Sequence, residues 1–256
     1  MSTPSSGPLV RLDIADRVAA ITLDSPQNRN ALSRRLLDEL AAALAAARDD
    51  PAVRGVVLTA TGTTFCAGAD LTDPPGRSGD PSVSVPQILS ALWTFPKTAV
   101  VKLNGHVRAG GLGLVAAADI VVAPLSATFA FTEVRIGVAP AIIAVVCGRR
   151  MTSRALARYT LTGEVFDAVA AREAGLVTLA APDDEIDRAT EAILDAVRLT
   201  EPNAVRTTKQ LLLDLPGMPL SDGLTHAEAV SLDLFRSPEA AEGIQAFREK
   251  RPPSWA

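Results

Sequence analysis

The sequence contains few of the residues that bind metals or form disulfides. Its 256 residues include only two cysteines, Cys66 and Cys147, and two histidines, His106 and His226. Two cysteines are far too few for a disulfide-stabilised scaffold, so a reducing compartment fits the chain best. No cluster of His, Cys, Asp and Glu has the spacing of a metal site, and we expect no metal. The Gly-x-Ser-x-Gly elbow of serine hydrolases is also absent from the sequence.

Neither sign of charge dominates the chain. Lys plus Arg total 25 and Asp plus Glu total 29, which gives a net charge of −4. This mild acidity gives no reason to expect a nucleic acid or an anionic membrane as a partner. The first residues have neither the basic segment nor the apolar segment of a secretory signal, so we expect a cytoplasmic protein.

One stretch is apolar enough to be mistaken for a membrane span. Residues 111–131 carry a single charge, Asp119, over 21 residues, and a spanning helix needs about 20 apolar residues. However, Asp119 and Pro124 lie near its middle, and its composition changes there from Ala, Gly and Leu to β-branched residues. We therefore interpret the stretch as a buried helix followed by a buried strand.

The first half of the chain alternates predicted strands with predicted helices. Apolar, β-branched runs predict strands at 18–23, 55–60, 98–103, 119–123 and 128–131. Leucines at spacings of three and four predict a helix over residues 34–48, with Ser33 as its N-cap. Another helix is expected to begin near Gly110. This alternation predicts an α/β core whose sheet faces are covered.

Helical periodicity dominates after Pro140. It predicts helices at 141–151, 154–161, 168–174, 186–199, 204–213, 223–235 and 238–247. We therefore divide the chain into an α/β core over residues 1–195 and a helical C-terminal region over residues 196–256. Residues 73–86 are rich in Pro, Gly and Ser, which is typical of a mobile loop.

Two glycine-bearing segments each follow a predicted strand. Residues 63–70 read TTFCAGAD, and residues 104–113 read NGHVRAGGLG and open a helix. Small residues leave backbone N–H groups accessible, and two such donors aimed at one point would stabilise an oxyanion. Tight packing of a helix against a sheet is the alternative explanation of these glycines. The spacing fits neither the dinucleotide-binding motif nor the P-loop motif.

Glu133 is the only carboxylate between Asp119 and Glu164, and it lies among apolar residues just after a predicted strand. A carboxylic acid in an apolar wall has a raised pKa, which suits proton transfer near neutral pH. A salt bridge to Arg135 or Arg149 is the alternative role for this side chain.

Short motifs run through nearly the whole chain in an unbroken order. They are PQNRNAL at 26–32, FCAGADL at 65–71, PKTAVVKLNG at 96–105, AGGLGL at 109–114, ADI at 118–120, FTEVRIG at 131–137, LTGEVF at 161–166, AGLV at 174–177 and FREKR at 247–251. Through this ordered set the chain, from about Val10 to Arg251, resembles the crotonase superfamily, which contains the enoyl-CoA hydratases and isomerases.

The resemblance implies a spiral of β-β-α turns and a helical C-terminal region that forms trimers, often paired as hexamers. It implies an acyl-CoA thioester as the ligand, with CoA as part of the substrate and no separate cofactor. The backbone N–H groups of Ala69 and Gly110 match the family's two donors to the thioester carbonyl, and Glu133 matches a catalytic glutamate. The adenine, pantetheine and neighbouring contacts correspond to Arg29, Ala31, Ala67, Asp70, Leu71 and Gly111.

Gly113 departs from the family pattern. Family hydratases with two catalytic glutamates carry the first of them in the helix after the Gly-rich turn, where this chain has Gly113. A single carboxylate, Glu133, must then both position the water and move its proton. The same residue could instead isomerise a 3-enoyl-CoA or perform another single-glutamate crotonase reaction, or the protein could bind acyl-CoA with little or no catalysis.

The motifs around residues 109–114, 131–137 and 139–143 are similar to those of bacterial hydratases of the 3-methylglutaconyl-CoA type. Those enzymes act on branched unsaturated thioesters in the breakdown of leucine or isoprenoids. The resemblance therefore favours a hydratase of lipid or fatty acid metabolism, with a branched substrate as one expectation.

Overall fold

A computed structural model describes residues 7–72 and 83–256 of the chain. The strands in these ranges are β1 (Val10–Ala15), β2 (Val18–Leu23), β3 (Gly55–Ala60), β4 (Thr64–Cys66), β5 (Thr98–Lys102), β6 (His106–Arg108), β7 (Ile120–Pro124), β8 (Thr128–Ala130), β9 (Phe166–Asp167) and β10 (Leu179–Ala181). The helices are α1 (Arg34–Asp49), α2 (Val85–Trp93), α3 (Gly110–Ala117), α4 (Ala141–Cys147), α5 (Ser153–Thr162), α6 (Ala168–Glu173), α7 (Ile186–Arg198), α8 (Pro202–Asp214), α9 (Leu220–Phe235) and α10 (Pro238–Glu249).

The strands form two sheets. The larger has six strands in the order β1-β2-β3-β5-β7-β10, and all neighbouring pairs are parallel except β1 and β2. The smaller has four strands in the order β4-β6-β8-β9, with β9 antiparallel to β8. From β3 to β8 the chain adds one strand to the large sheet and the next to the small sheet, and a helix follows each such pair. The chain therefore repeats the β-β-α turn that the motifs predicted.

Burial of apolar strands and helix faces explains these elements. The central strand β3 is buried at five of its six positions, which explains its continuous apolar run. Helix α1 buries its leucine face, and the Ser33 hydroxyl accepts the Leu36 N–H at 3.3 Å, which confirms the predicted N-cap. The predicted strands at 18–23 and 55–60 have the same bounds in the structure.

The apolar stretch 111–131 is a buried helix followed by a buried strand, as predicted. Helix α3 ends at Ala117 and buries every residue from Gly111 onward, and β7 follows it. Throughout residues 7–72 and 83–256, no helix combines the length and apolar character that crossing a bilayer requires.

Some predicted boundaries were wrong. The helix predicted over 141–151 ends at Cys147, and the strand predicted from residue 119 begins at Ile120. The Asp119 carboxylate, just before that strand, accepts the Ala99 N–H at 2.7 Å and the Lys209 ammonium at 2.8 Å. Of the loop predicted over residues 73–86, residues 73–82 lie outside the described residues, and α2 already begins at Val85.

The C-terminal helices bury little of their own surface. Helices α8 and α9 contain no buried residue, and α10 buries Ala246 alone. Large apolar side chains are instead exposed along them, with Leu220 81% exposed and Phe247 85% exposed. The boundary that we placed between residues 195 and 196 lies within α7.

Candidate active site

Two loops lie side by side at one edge of the candidate site. The Ala67 N–H donates to the Arg29 carbonyl at 3.0 Å, and the Leu32 N–H donates to the Gly68 carbonyl at 2.7 Å. The Asp70 N–H donates to the Leu32 carbonyl at 3.4 Å. These three main-chain hydrogen bonds align residues 29–32 with residues 67–70, so the two motifs that carry the predicted CoA contacts are neighbours.

Asn30 holds the first loop against the sheet. It is fully buried and has a positive φ of 54°. Its side-chain oxygen accepts the Ser25 N–H at 2.8 Å, and its amide donates to the Thr61 and Thr64 carbonyls at 3.0 and 2.8 Å. The side chain thereby satisfies backbone groups that the turn leaves without partners, as buried polar groups require. Sequence reasoning did not single out Asn30, although its position within the PQNRNAL motif was the available signal.

Gly68 allows the second loop to approach the beginning of α3. Its φ is +93°, and a Cβ atom there would lie 2.6 Å from the Ala109 Cβ and 3.1 Å from the Gly110 nitrogen. Ala109, which precedes the helix, has a φ of 47° and a ψ of −124°, a strained conformation for a residue with a side chain. Such strain persists only where the surrounding structure enforces it, and here it turns the chain into α3.

The backbone N–H groups of Ala69 and Gly110 lie close together, and no acceptor for either is found among the described residues. A Cβ atom on Gly110 would lie 3.7 Å from the Ala69 nitrogen. Within the part of the chain that the structure describes, neither N–H donates to another residue. Gly110 is also the first residue of α3, where the helix dipole favours negative charge. Two such donors could together stabilise an oxyanion, and the assignment of Ala69 and Gly110 to this role stays a prediction.

The predicted contacts around these donors differ in accessibility. Arg29 and Ala69 are exposed, and Leu71 is 71% exposed. Ala67 and Asp70 are half-buried, and Ala31 and Gly111 are buried. These four predicted contacts therefore offer a ligand less accessible surface. A Cβ atom on Gly111 would lie 2.8 Å from the Cys66 Cβ, so this glycine serves the packing of α3 against β4.

Glu133 lies in a short 3-10 helix, Thr132–Ile136, that follows β8. The Ala109 N–H donates to the Ala130 carbonyl at 3.0 Å, which ties the beginning of α3 to the end of β8, three residues before Glu133. The Glu133 carbonyl accepts the Val138 N–H at 3.0 Å and closes the turn. The segment that precedes Glu133 is therefore hydrogen-bonded to the segment that carries the Gly110 N–H.

The Glu133 carboxylate is half-buried and unpaired. Burial raises the pKa of Glu133 above its ordinary value of 4.5, and a hydrogen bond with its own backbone offsets part of the rise. Its Oε2 atom is buried and has no hydrogen-bond partner among residues 7–72 and 83–256. Across the described ranges it forms no ion pair, so the alternative of a salt bridge to Arg135 or Arg149 was wrong. A free carboxylate in an apolar setting can move a proton.

Apolar side chains occupy the space beside Gly113. A Cβ atom there would lie 2.7 Å from Ile143 Cγ2 and 3.1 and 3.3 Å from the two methyl groups of Leu89. A side chain at position 113, where the resemblance places the first glutamate of two-glutamate hydratases, would therefore first meet these apolar groups. The sequence indicated the missing glutamate but not Leu89 or Ile143, because no motif shows that α2 and α4 meet at α3.

Cys147 lies close to Glu133 but stays a thiol. Its Sγ is 3.7 Å from the Leu112 carbonyl, to which the thiol donates. Burial raises the pKa of the Cys147 thiol to about 12, and the charge of Glu133 contributes to this rise. The thiolate needed for nucleophilic attack is therefore negligible at neutral pH.

Comparisons with known proteins agree with the motifs. The enoyl-CoA hydratase/isomerase family model matches residues 13–256. A Thermus thermophilus protein, provisionally named an enoyl-CoA hydratase, is 37% identical over 243 residues, which cover 92% of this chain and 96% of that protein. The Escherichia coli 2,3-dehydroadipyl-CoA hydratase is 30% identical over 242 residues, which cover 93% of this chain and 95% of that protein.

Solved structures share the fold. A Legionella pneumophila protein, provisionally titled an enoyl-CoA hydratase/isomerase (crotonase), superposes on this chain with a TM-score of 0.90 at 31% sequence identity. The superposition covers 98% of this chain and 100% of the Legionella chain. The α/β fold with a helical C-terminal region, predicted from the motifs, is confirmed by this likeness.

Proposed function

Because the chain belongs to the enoyl-CoA hydratase/isomerase family, we propose that it adds water across the 2,3 double bond of an enoyl-CoA thioester, with Glu133 as its only proton-transferring carboxylate. The observation that carries this proposal is the combination of two acceptor-free N–H donors with one unpaired, half-buried glutamate. The hydrogen bond between Ala109 and Ala130 joins the segments that hold them.

In this mechanism the thioester oxygen accepts the N–H groups of Ala69 and Gly110. Negative charge develops on that oxygen when the oxygen of water bonds to C3, and each preorganised donor contributes about 3 kcal/mol to the transition state. Glu133 takes the proton from the attacking water and then gives a proton to C2 as the enolate collapses. The raised pKa of Glu133 suits both steps, because the group must accept and release a proton within one turnover.

The CoA part of the thioester is proposed to lie along the paired loops, and no other cofactor is needed. Arg29 supplies an exposed cation for the CoA phosphates, and Ala31, Ala67, Asp70 and Leu71 line the same pair of loops. A cation next to open backbone groups can bind an anionic ligand although the whole chain is acidic.

The helical region over residues 196–256 is proposed to build a homotrimer, or a hexamer of two trimers. Helices α8 and α9 have no buried residue, while Leu224 is 63% exposed and Phe235 is 69% exposed. Exposed apolar side chains in such number mark a surface that another chain covers.

Isomerisation of a 3-enoyl-CoA is a second candidate, favoured by the packing of Gly113. Ile143 and Leu89 lie against Gly113, the position at which the resemblance places a second carboxylate. One base, Glu133, can still move a proton between C2 and C4 without any water. A branched acyl group of the 3-methylglutaconyl type is compatible with both reactions and stays a prediction.

Replacement of Glu133 tests the proposal. We expect Glu133→Gln to lower kcat for water addition to 2-enoyl-CoA thioesters by about 100-fold or more, since general acid–base catalysis contributes about 10²–10⁴-fold. Glu173→Gln, an exposed glutamate on α6, is the matched control and should keep full activity. Equal turnover by the two variants would contradict the role of Glu133. Binding of acyl-CoA without turnover of any 2-enoyl or 3-enoyl thioester would support a binding protein instead.

A further inference from the structure

A groove of about 420 Å³ lies between α2 and α4. Its lining is mostly apolar and includes one cation, Arg149. The apolar part of the lining includes Leu89, Trp93, Ile142, Val145 and Val146. No carboxylate lines the groove among the residues that the structure describes. The groove thus combines apolar walls with a positive charge that has no acidic neighbour in its lining.

The groove begins beside the candidate active site. Leu89 lines it and also places both methyl groups next to Gly113. Ile142 faces the groove, whereas the next residue, Ile143, packs against Gly113. From Ile142 to Arg149 the lining extends over about 10 Å, given a helical rise of 1.5 Å per residue. Arg149 therefore lies at the end of the lining that is farther along the chain from Ile143 and its contact with Gly113.

Arg149 retains most of its hydrogen-bonding capacity. Its Nη1 donates to the Val145 carbonyl at 2.8 Å, and it forms no ion pair within residues 7–72 and 83–256. The neighbouring Arg150 differs, because its guanidinium donates to the Ala116 and Ala118 carbonyls at 3.1 and 3.0 Å. Arg150 also stacks on the Trp93 ring at 4.4 Å and supports that wall of the groove.

We propose that the groove holds the acyl group of the thioester and that Arg149 selects acyl groups that end in a carboxylate. This inference rests on the proposed function only in that the ligand is an acyl-CoA. Apolar walls bind the methylene carbons of the acyl group. Burying a terminal carboxylate against such walls costs free energy unless a cation forms an ion pair with it. The guanidinium fork of Arg149 can form charge-assisted hydrogen bonds with both carboxylate oxygens.

A matched pair of saturated thioesters tests this selection without any turnover. Hexanoyl-CoA and adipyl-CoA have six-carbon acyl groups that differ only in a terminal methyl or carboxylate. Calorimetry on the full chain should show that Arg149→Leu lowers the affinity for adipyl-CoA relative to hexanoyl-CoA by about 10- to 100-fold, the range of a charge-assisted hydrogen bond. Arg154→Leu, an exposed arginine on α5, is the control and should preserve the ratio of affinities.

Charge reversal gives a second, independent arm. Arg149→Glu should bind 6-aminohexanoyl-CoA, whose acyl group ends in a cation, more tightly than adipyl-CoA. The natural chain should show the opposite order of affinities. An equal loss of affinity for both members of the first pair would place Arg149 against the CoA phosphates and overturn the proposal. Failure of the natural chain to bind any of these thioesters would overturn it too. If the protein prefers adipyl-CoA through Arg149 but turns over no enoyl-CoA, the result would reject the proposed water addition and leave the role of Arg149 standing.

Discussion

At the scale of single residues, burial without a partner determines what Glu133 can do. The apolar surroundings raise the pKa of this carboxyl group, and no described cation lowers it again. A salt bridge would have stabilised the carboxylate and reduced its ability to act as an acid. The chain thus keeps an ionisable group in an environment that favours its neutral form, a destabilising arrangement that is typical of active sites.

The pH dependence of stability follows from this raised pKa. Ionisation of Glu133 is harder in the folded chain, so the folded state binds more protons than the unfolded state at pH values above about 4.5, the ordinary pKa. The contribution of the group to folding stability therefore falls as the pH rises through its folded pKa. Glu133→Gln removes this penalty, and we expect a larger rise in Tm at pH 8 than at pH 5. Thermal unfolding at both pH values checks this, and an equal Tm change at the two would contradict it.

Gly68 is the residue on which the donor pair depends. Gly68→Ala would bring its Cβ atom to 2.6 Å from the Ala109 Cβ and would strain a φ of +93°. We expect the two donors to separate and kcat/KM for a 2-enoyl-CoA to fall about 100-fold, the cost of losing one donor. Gly217→Ala is the matched control, since its φ is +102° but no atom lies within 4 Å of the added Cβ. Steady-state kinetics that show equal loss in both variants would contradict this reading of Gly68.

At the scale of secondary-structure elements, the sequence predicts strands and helices best where burial produces a long, regular pattern of apolar residues. Strands β2 and β3 were predicted with the correct bounds because their apolar runs have six residues each. Strands β4 and β6 have three residues, too few to show any period, and they were missed. Helix α2 was missed because it begins with Val85 and Pro86 at the end of a Pro-rich stretch, although proline suits the first turn of a helix.

The candidate site was predictable to the same limited extent. The resemblance that the ordered motifs carry pointed to Ala69, Gly110 and Glu133, and the roles of these residues stay predictions. The packing of α2 and α4 around Gly113 was not predictable, since Leu89 and Ile143 are far from it in sequence. Contacts between elements depend on how helices cross, and a single sequence does not contain that information directly.

A double-mutant cycle tests the packing of α3 against α4. Gly113→Ala places a Cβ atom 2.7 Å from Ile143 Cγ2, and we expect a loss of about 1–3 kcal/mol in unfolding free energy from overpacking. In an Ile143→Ala background the same change should cost about 1 kcal/mol less, because the clashing methyl is gone. Denaturant unfolding of the four proteins gives the coupling energy. Strict additivity would contradict direct contact at this position.

At the scale of the whole molecule, the two parts of the chain bury their apolar residues differently. The main core is continuous through both sheets and α1 to α6, whereas α8 to α10 leave several of their large apolar side chains exposed. Such a division is expected when one part folds around its own core and the other is completed by a further copy of the chain.

Assembly can be tested at this exposed surface. We expect light scattering after size-exclusion chromatography to give the mass of a trimer or a hexamer, and Phe235→Asp to reduce it by placing a charge in the interface. Phe235 lies on α9 and is 69% exposed in the single chain, while the control, Leu125→Asp, changes a residue that is 46% exposed elsewhere. A natural chain that elutes as a monomer would contradict the proposed assembly.

One glutamate, Glu133, is proposed to support the addition of water, and the fate of solvent oxygen tests this role most directly. The purified chain would be incubated with a 2-enoyl-CoA thioester in water enriched in oxygen-18, and the products would be followed by mass spectrometry. We expect the natural chain to form a product that is heavier by one water and carries the solvent oxygen, and we expect Glu133→Gln to form little of it. A product of unchanged mass with a moved double bond, or water addition that persists in Glu133→Gln, would contradict it.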